Sequence, residues 1–256
     1  MSAQIRSQAQ YRTSFAFDVA GQTIFTALDF VTVFVLFRVT PALGGFGVVE
    51  VLTMTAISGL GFSLADIAVG NVERLRFYVR TGLLDAMLIR PRRVLPQLLA
   101  VDFQLRRIGR IAFSAAILGV AASLADVDWT WQRLALLAAA PIAAAVFFCS
   151  VFVVTASVAF WWIESGEFAN GFTYGGKDFT AYPMTVYEGM FRRVFAFGLG
   201  FGFVVYYPAL AILGVPDPLG MPTWFGAGGF VVAAAVATLA ALVWRAGIRH
   251  YKGTGS

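Results

Sequence analysis

The chain has 256 residues, 59% hydrophobic and only 13% charged, with a formal net charge of +5. A soluble domain of this length carries about 25% charged residues to cover its surface, so most of this surface is expected to face lipid. One cysteine (Cys149) excludes an intramolecular disulfide. One histidine (His250) leaves a histidine-built metal site, or a nucleophile with a histidine base, without its parts. No catalytic group, metal site or cofactor is therefore expected in this chain. A basic balance suits nucleic acid in a soluble protein, but in so apolar a chain it reports membrane topology and anionic headgroups.

The first 14 residues are polar and give no cleavable signal sequence. A helix needs about 20 mostly apolar residues to cross the hydrocarbon core, and six segments qualify. They are residues 15–38, 48–69, 108–125, 134–163, 193–214 and 224–244. The predicted fold class is therefore all-α: a polytopic membrane protein with six transmembrane helices in one domain spanning 1–256.

The first span carries a polar stripe. At 100° per residue Asp18, Gln22, Thr26, Asp29 and Thr32 fall within about 120° of one another. Ionisable groups inside a span are costly and face a bundle interior, a cavity or a partner. Two readings of the stripe stand at this point. It lines a translocation path or a subunit seam, or else Asp18 sits at the inner interface and Asp29 is paired with a hydroxyl or a protonated neighbour.

Six spans put both termini on one side, and arginine placement names that side. All basic residues except Arg38 and Arg133 share it, among them Arg6, Arg12, Arg74 to Arg110, Lys177, Arg192, Arg193, Arg245, Arg249 and Lys252. The positive-inside rule then predicts N-in and C-in. Trp129, Trp131 and Trp224 fall at predicted outer ends, and Trp161, Trp162 and Trp244 at inner ends, where indole rings favour the headgroup level. The outer connections are short, so docking is expected from inside, on the loops at 70–107 and 164–192.

The loop at 70–107 holds "GLLDAMLIRPRRVLPQ". Thr81 is placed to cap a helix, Asp85 to meet its positive end and Arg90 its negative end, with Pro91 stopping it. Leu83, Leu84, Met87 and Leu88 share an apolar face. Such a helix rests on headgroups or fills a groove on a cytosolic partner, and the residues alone leave both open. Further along, "GFTYGGKD" fits a phosphate-binding loop only superficially. Asp178 replaces the magnesium-binding hydroxyl, no strand precedes it, and a turn-rich loop is the better reading. Gly198-x-x-x-Gly202 permits close helix approach, within the subunit or across a dimer. Pro208 marks a break, a re-entrant segment or a plain loop near the outer end of the fifth span.

"GLLDAMLIRP" and the later "EFANGFTYGGKDFTAYPMTVYEGMFRRVFAFGLGFGFVVYYPA" make nearly the whole chain resemble the permeases of ABC-2 type transporters, in their bacterial branch. The resemblance implies a multi-pass subunit of the bacterial inner membrane. It also implies a second permease, identical or homologous, and a dimer of cytosolic ATP-binding-cassette subunits that hold the ATP and magnesium. Transport in such systems is usually export, here expected for an amphipathic or lipid-like substrate. The residues Gly82, Leu83, Leu84, Asp85, Met87, Leu88, Arg90 and Pro91 would form the coupling helix seated in the ATPase. One departure stands out: many relatives carry a re-entrant helix pair before the sixth span, where this chain shows a short proline-rich segment. Two other classes remain in view. One is an ion-coupled carrier or small channel using Asp18 and Asp29; the other is a membrane-embedded enzyme whose best carboxylate pair is Asp29 with Glu50.

Overall fold

A computed structural model describes residues 12–101 and 107–253. Arg6, and Arg106 of the loop after the second span, lie outside the described residues. Among the described residues the chain is all helical, with no strand.

Helix α1 is Arg12–Val39 and α2 is Val48–Val69. The segment after α2 folds into a 3-10 turn (Gly70–Arg74) and three short helices: α3 (Leu75–Arg80), α4 (Leu83–Leu88) and α5 (Val94–Ala100). Then come α6 (Ile108–Leu124) and α7 (Trp131–Ser157), and α7 runs on into a 3-10 turn at Val158–Phe160. Four of the predicted spans thus form helices close to their predicted bounds.

Burial follows from the distribution of apolar residues. Helix α2 is apolar all round, and Val51 to Gly59 is buried without a break, as expected for a central helix. It packs against α1, α6 and α7. Gly61 permits the approach to α7, since a Cβ there would stand 2.5 Å from that of Ala144. The next residue, Phe62, lies with its ring 5.4 Å from those of Phe148 and Phe152. Helix α1, by contrast, exposes Phe17, Ile24, Phe25, Phe34 and Val35, a surface that only lipid or another apolar partner can cover.

The segment at 164–192 departs from the loop expected there. Gly166–Ala181 forms helix α8, and the whole of "GFTYGGKD" lies inside it, so no phosphate-cradling loop exists. Thr55 Oγ1 donates to the Ala181 carbonyl (3.0 Å), and Ser58 Oγ to that of Lys177 (3.1 Å), while Ser58 and Thr180 hydroxyls meet at 2.7 Å. Thr155 and Thr173 hydroxyls join α7 to α8 at 3.0 Å. Helix α8 begins at the end of the bundle occupied by Arg76, which crowds Gly166. It finishes at the opposite end, where Thr185 Oγ1 donates to the Gly44 carbonyl of the α1–α2 turn (2.6 Å). Its glycines and threonines hide it from a hydropathy search, although small residues and hydroxyls are what let helices approach in a membrane.

The predicted fifth span is not one straight helix. Gly189–Arg192 (α9) continues through a π-helical turn, Arg193–Gly198, and breaks before α10 (Phe201–Val204) and α11 (Tyr206–Leu213). The two arms bend by 58°. Gly200, with φ +83°, makes the bend in the left-handed region that favours glycine, and a Cβ there would meet Val232 at 2.5 Å. The break lies within the bundle, where Phe201 packs 5.0 Å from Phe147 and against Gly176 of α8. Tyr206, the first residue of α11, places its ring 5.8 Å from Phe46 of the α1–α2 turn, and Gly214, just past the end of α11, abuts Arg133 in the first turn of α7. The break therefore comes at Gly198–Gly200, upstream of Pro208, which is buried in the first turn of α11.

The last helix, α12 (Gly228–His250), follows a 3-10 turn at Thr223–Ala227 and extends beyond the predicted end at 244. The glycines before it pack within the chain: Gly226 on Ala211, Gly229 on the Phe203 carbonyl, and Gly202 on Met184 and Ala196. By length and hydropathy Ala16–Val39, Val48–Arg80, Trp131–Phe160 and Trp224–His250 can each cross a membrane. The bent pair, Gly189–Gly198 with Phe201–Leu213, passes the same test taken together, and α6 is a shorter apolar helix.

Candidate functional site

The chain between α2 and α6 builds a platform at one end of the bundle, and a buried carboxylate ties it down. Asp66, in the last turn of α2, has a side chain only 3% exposed. Arg107 and Arg110, at the start of α6, each place an Nη1 at 2.9 Å from one of its oxygens. Arg107 also donates to the Asp66 carbonyl, and the Arg110 guanidinium lies 6.0 Å from the Phe62 ring. Glu73 continues the cluster toward Tyr174 and Arg76. Gly70 leaves the room for this clamp, since a Cβ there would collide with both Arg107 and Asp66. None of these residues stood out in the sequence. The available signal was a lone acid near the inner end of the second span, facing two arginines at the start of the third.

On this platform α4 differs in detail from the predicted coupling helix. Thr81 does not cap it: its hydroxyl turns back to the Phe77 carbonyl (2.7 Å), and Gly82, with φ +70°, occupies the cap position. The helix ends at Leu88 with Ile89 as its C-cap, two residues before Pro91, because the residue preceding a proline avoids the helical region. The apolar face also splits. Leu84 and Met87 point into the protein and are buried, whereas Leu83 and Leu88 are exposed, and Ile89 is 86% exposed. Arg90 and Pro91 are exposed beyond them. Gln97 of α5 fixes the far end by donating to the carbonyls of Met87 (3.0 Å) and Arg92 (2.9 Å). Asp85 faces Tyr251 and Gly253 at the end of the chain. Burial, then the Asp85 carboxylate, pushes the Tyr251 hydroxyl up to about 12, so it remains protonated at neutral pH.

The stripe on α1 is only partly brought together. Asp18 and Thr32 lie on exposed surface. Thr26 is buried and donates to the Gln22 carbonyl (3.0 Å), and the Gln22 Oε1 is enclosed beside it. Asp29 accepts from Lys177 Nζ of α8 at 2.5 Å. That partner was expected in a loop outside the bundle, and only the folding of 166–181 into α8 delivers it to mid-helix depth. Glu50 instead sits in the first turn of α2 beside Gly47, and no contact among the described residues joins it to Asp29.

A profile described as ABC-2 family transporter protein matches residues 23–255. No curated protein and no solved structure matches the chain.

Proposed function

The chain belongs to the ABC-2 transporter family, and from that premise we propose that it is the permease subunit of an ATP-driven exporter of an amphipathic or lipid-like substrate. Membership makes it a multi-pass membrane component that works with ATP-binding-cassette ATPase subunits. In our reading two such ATPases dock on the platform, and a second permease, identical or homologous, completes the path.

We assign six crossings to α1, α2, α6, α7, α8 and α12, with both termini inside. The hairpin of α9 to α11 is then re-entrant from the outer face. Support comes from the contacts at that end: α11 starts with Tyr206 against the α1–α2 turn, and α8 joins the platform end to the same turn. Its 16 residues rise about 24 Å, and residues 182–185 carry the chain on to the turn. Arg74, Arg76, Arg80, Arg90, Arg92, Arg93, Arg245 and Arg249 gather at the platform end, as the positive-inside rule requires of the cytoplasmic side. This assignment moves Arg192 and Arg193 to the outer end and Lys177 into a span, against the sequence expectation. On this assignment the re-entrant pair is the segment that sequence took for the fifth span, just upstream of the proline-rich segment where a departure from the family was read.

The observation that carries the coupling role is the exposed edge Leu83, Leu88 and Ile89 on a helix whose other side is locked by Leu84, Met87 and Gln97. A rigid helix with an uncovered apolar edge fits a groove and transmits displacement; one loosely laid on lipid needs no such bracing. The test is the double variant Leu88→Glu/Ile89→Glu in the permease co-expressed with its ATPase. We expect a folded permease that no longer retains the ATPase on purification and has lost ATP hydrolysis in liposomes of bacterial polar lipid. Retention and hydrolysis at wild-type levels would remove α4 from the coupling role. The Asp29–Lys177 pair weighs against a relay through Asp18 and Asp29, since Asp29 is already engaged by Lys177 Nζ at 2.5 Å and Asp18 lies on exposed surface.

A further inference from the structure

Helices α7 and α12 face each other through small side chains over part of their length. Cys149 and Ser150 on α7 oppose Ala237 and Ala241 on α12, so the helices leave a trench between them. Val146 and Val153 continue its apolar wall on one side, and Trp244 and Ile248 on the other. The trench holds about 840 Å³, within the range of about 300–1,000 Å³ that accommodates one small-molecule ligand.

Its platform end is different in character. Arg245 and Arg249, four apart on α12, stack on one face, and the turn between α4 and α5 brings Arg92 and Arg93 to the same rim. Like charges at this spacing repel one another. No acidic side chain pairs with any of the four among the described residues, and Asp85 of α4 is turned to Tyr251 and Gly253. Four guanidinium groups without a counter-ion call for an anion with several acceptor oxygens, and phosphate matches the guanidinium fork. A free phosphate would leave the apolar trench behind the arginines uncovered.

We propose that this groove is a binding site for an anionic phospholipid, with the phosphate held by Arg92, Arg93, Arg245 and Arg249 and one acyl chain lying between α7 and α12. The choice of the inner leaflet rests on the orientation proposed above; the binding itself does not. Leu88 borders the groove at its platform end, so the lipid sits beside the coupling helix, whose Leu83 and Ile89 stay clear of it.

The experiment is native mass spectrometry of the full chain, delipidated in detergent and titrated with phosphatidylglycerol or phosphatidylcholine of the same acyl chains. No ATPase takes part, so loss of the exporter reading leaves this result standing, and the reverse holds. Wild-type protein should retain one phosphatidylglycerol in preference to phosphatidylcholine. At about 1 kcal/mol per arginine near an anionic surface, Arg245→Gln/Arg249→Gln should weaken phosphatidylglycerol binding about 30-fold, while Arg38→Gln at the far end should leave it unchanged. Ala237→Phe, which fills the trench without altering charge, should reduce retention of the same lipid. Equal retention of both lipids, wild-type affinity in the double arginine variant, or displacement of the lipid by millimolar inorganic phosphate would each overturn the proposal.

Discussion

Replacing Asp66 with alanine removes the carboxylate on which the platform is anchored. The side chain is 3% exposed, and those of Arg107 and Arg110 are 14% and 21% exposed, so neither arginine is free to find water in place of its partner. Breaking a buried pair by deleting one member costs about 3–5 kcal/mol, because a charge is left uncompensated. At about 2–4 °C per kcal/mol for a chain of this size, melting should fall by about 6–20 °C. Arg107→Ala should cost less, since Arg110 still holds one oxygen of Asp66 at 2.9 Å. Gly70→Ala should act in the same direction by wedging Arg107 away from the carboxylate. The triple change Asp66→Leu/Arg107→Met/Arg110→Met should recover much of the loss, because an apolar replacement of a buried ion group leaves no orphaned charge. Melting followed by fluorescence-detected size exclusion reads all four. The reasoning fails if Asp66→Ala melts within about 2 °C of wild type, a shift worth less than about 1 kcal/mol, or if the triple variant is worse than the single one.

A double-mutant cycle on Asp29→Asn and Lys177→Met should give a coupling energy of about 0.5–3 kcal/mol, with each single variant less stable than the pair; additive losses would mean the 2.5 Å contact contributes nothing. Gly176→Ala places a Cβ 2.5 Å from the Phe201 ring and should cost about 1–3 kcal/mol by overpacking; adding Phe201→Ala should relieve that strain, and thermal melting of the pair checks it. Leu84→Glu buries a charge in a position 1% exposed and should abolish monodisperse protein, unlike Leu88→Glu/Ile89→Glu, so size exclusion separates the two sides of α4.

Much of the fold was legible because lipid imposes a coarse composition rule. Segments 48–69 and 108–125 appeared close to their observed bounds because they are mainly apolar, and the arginine asymmetry could be read without any packing information. The α4 segment was legible too, through Asp85, Pro91 and its leucines. Which leucines face inward was not. Spacing puts Leu83, Leu84, Met87 and Leu88 on one side of a helix, but the left-handed Gly82 sets the angle at which that helix leaves the platform. That angle buries Leu84 and Met87 and exposes Leu83, Leu88 and Ile89.

Residues 164–192 and 193–214 mark the boundary between the two kinds of information. Hydropathy counts apolar side chains, so it passed over α8, whose glycines and threonines are held in the bundle by Thr55, Ser58 and Thr155. It accepted 193–214, whose phenylalanines are apolar enough to span but whose backbone turns at Gly200. Composition alone determined that this chain lives in lipid and which of its ends is basic. Tertiary structure decided that 166–181 is a helix packed in the bundle and that the chain breaks at Gly198–Gly200, and so that Lys177 meets Asp29. The physical reason is that transfer to lipid depends on each residue's own chemistry, whereas an interhelical hydrogen bond, an ion pair or a left-handed glycine acquires its meaning only from the helix packed against it.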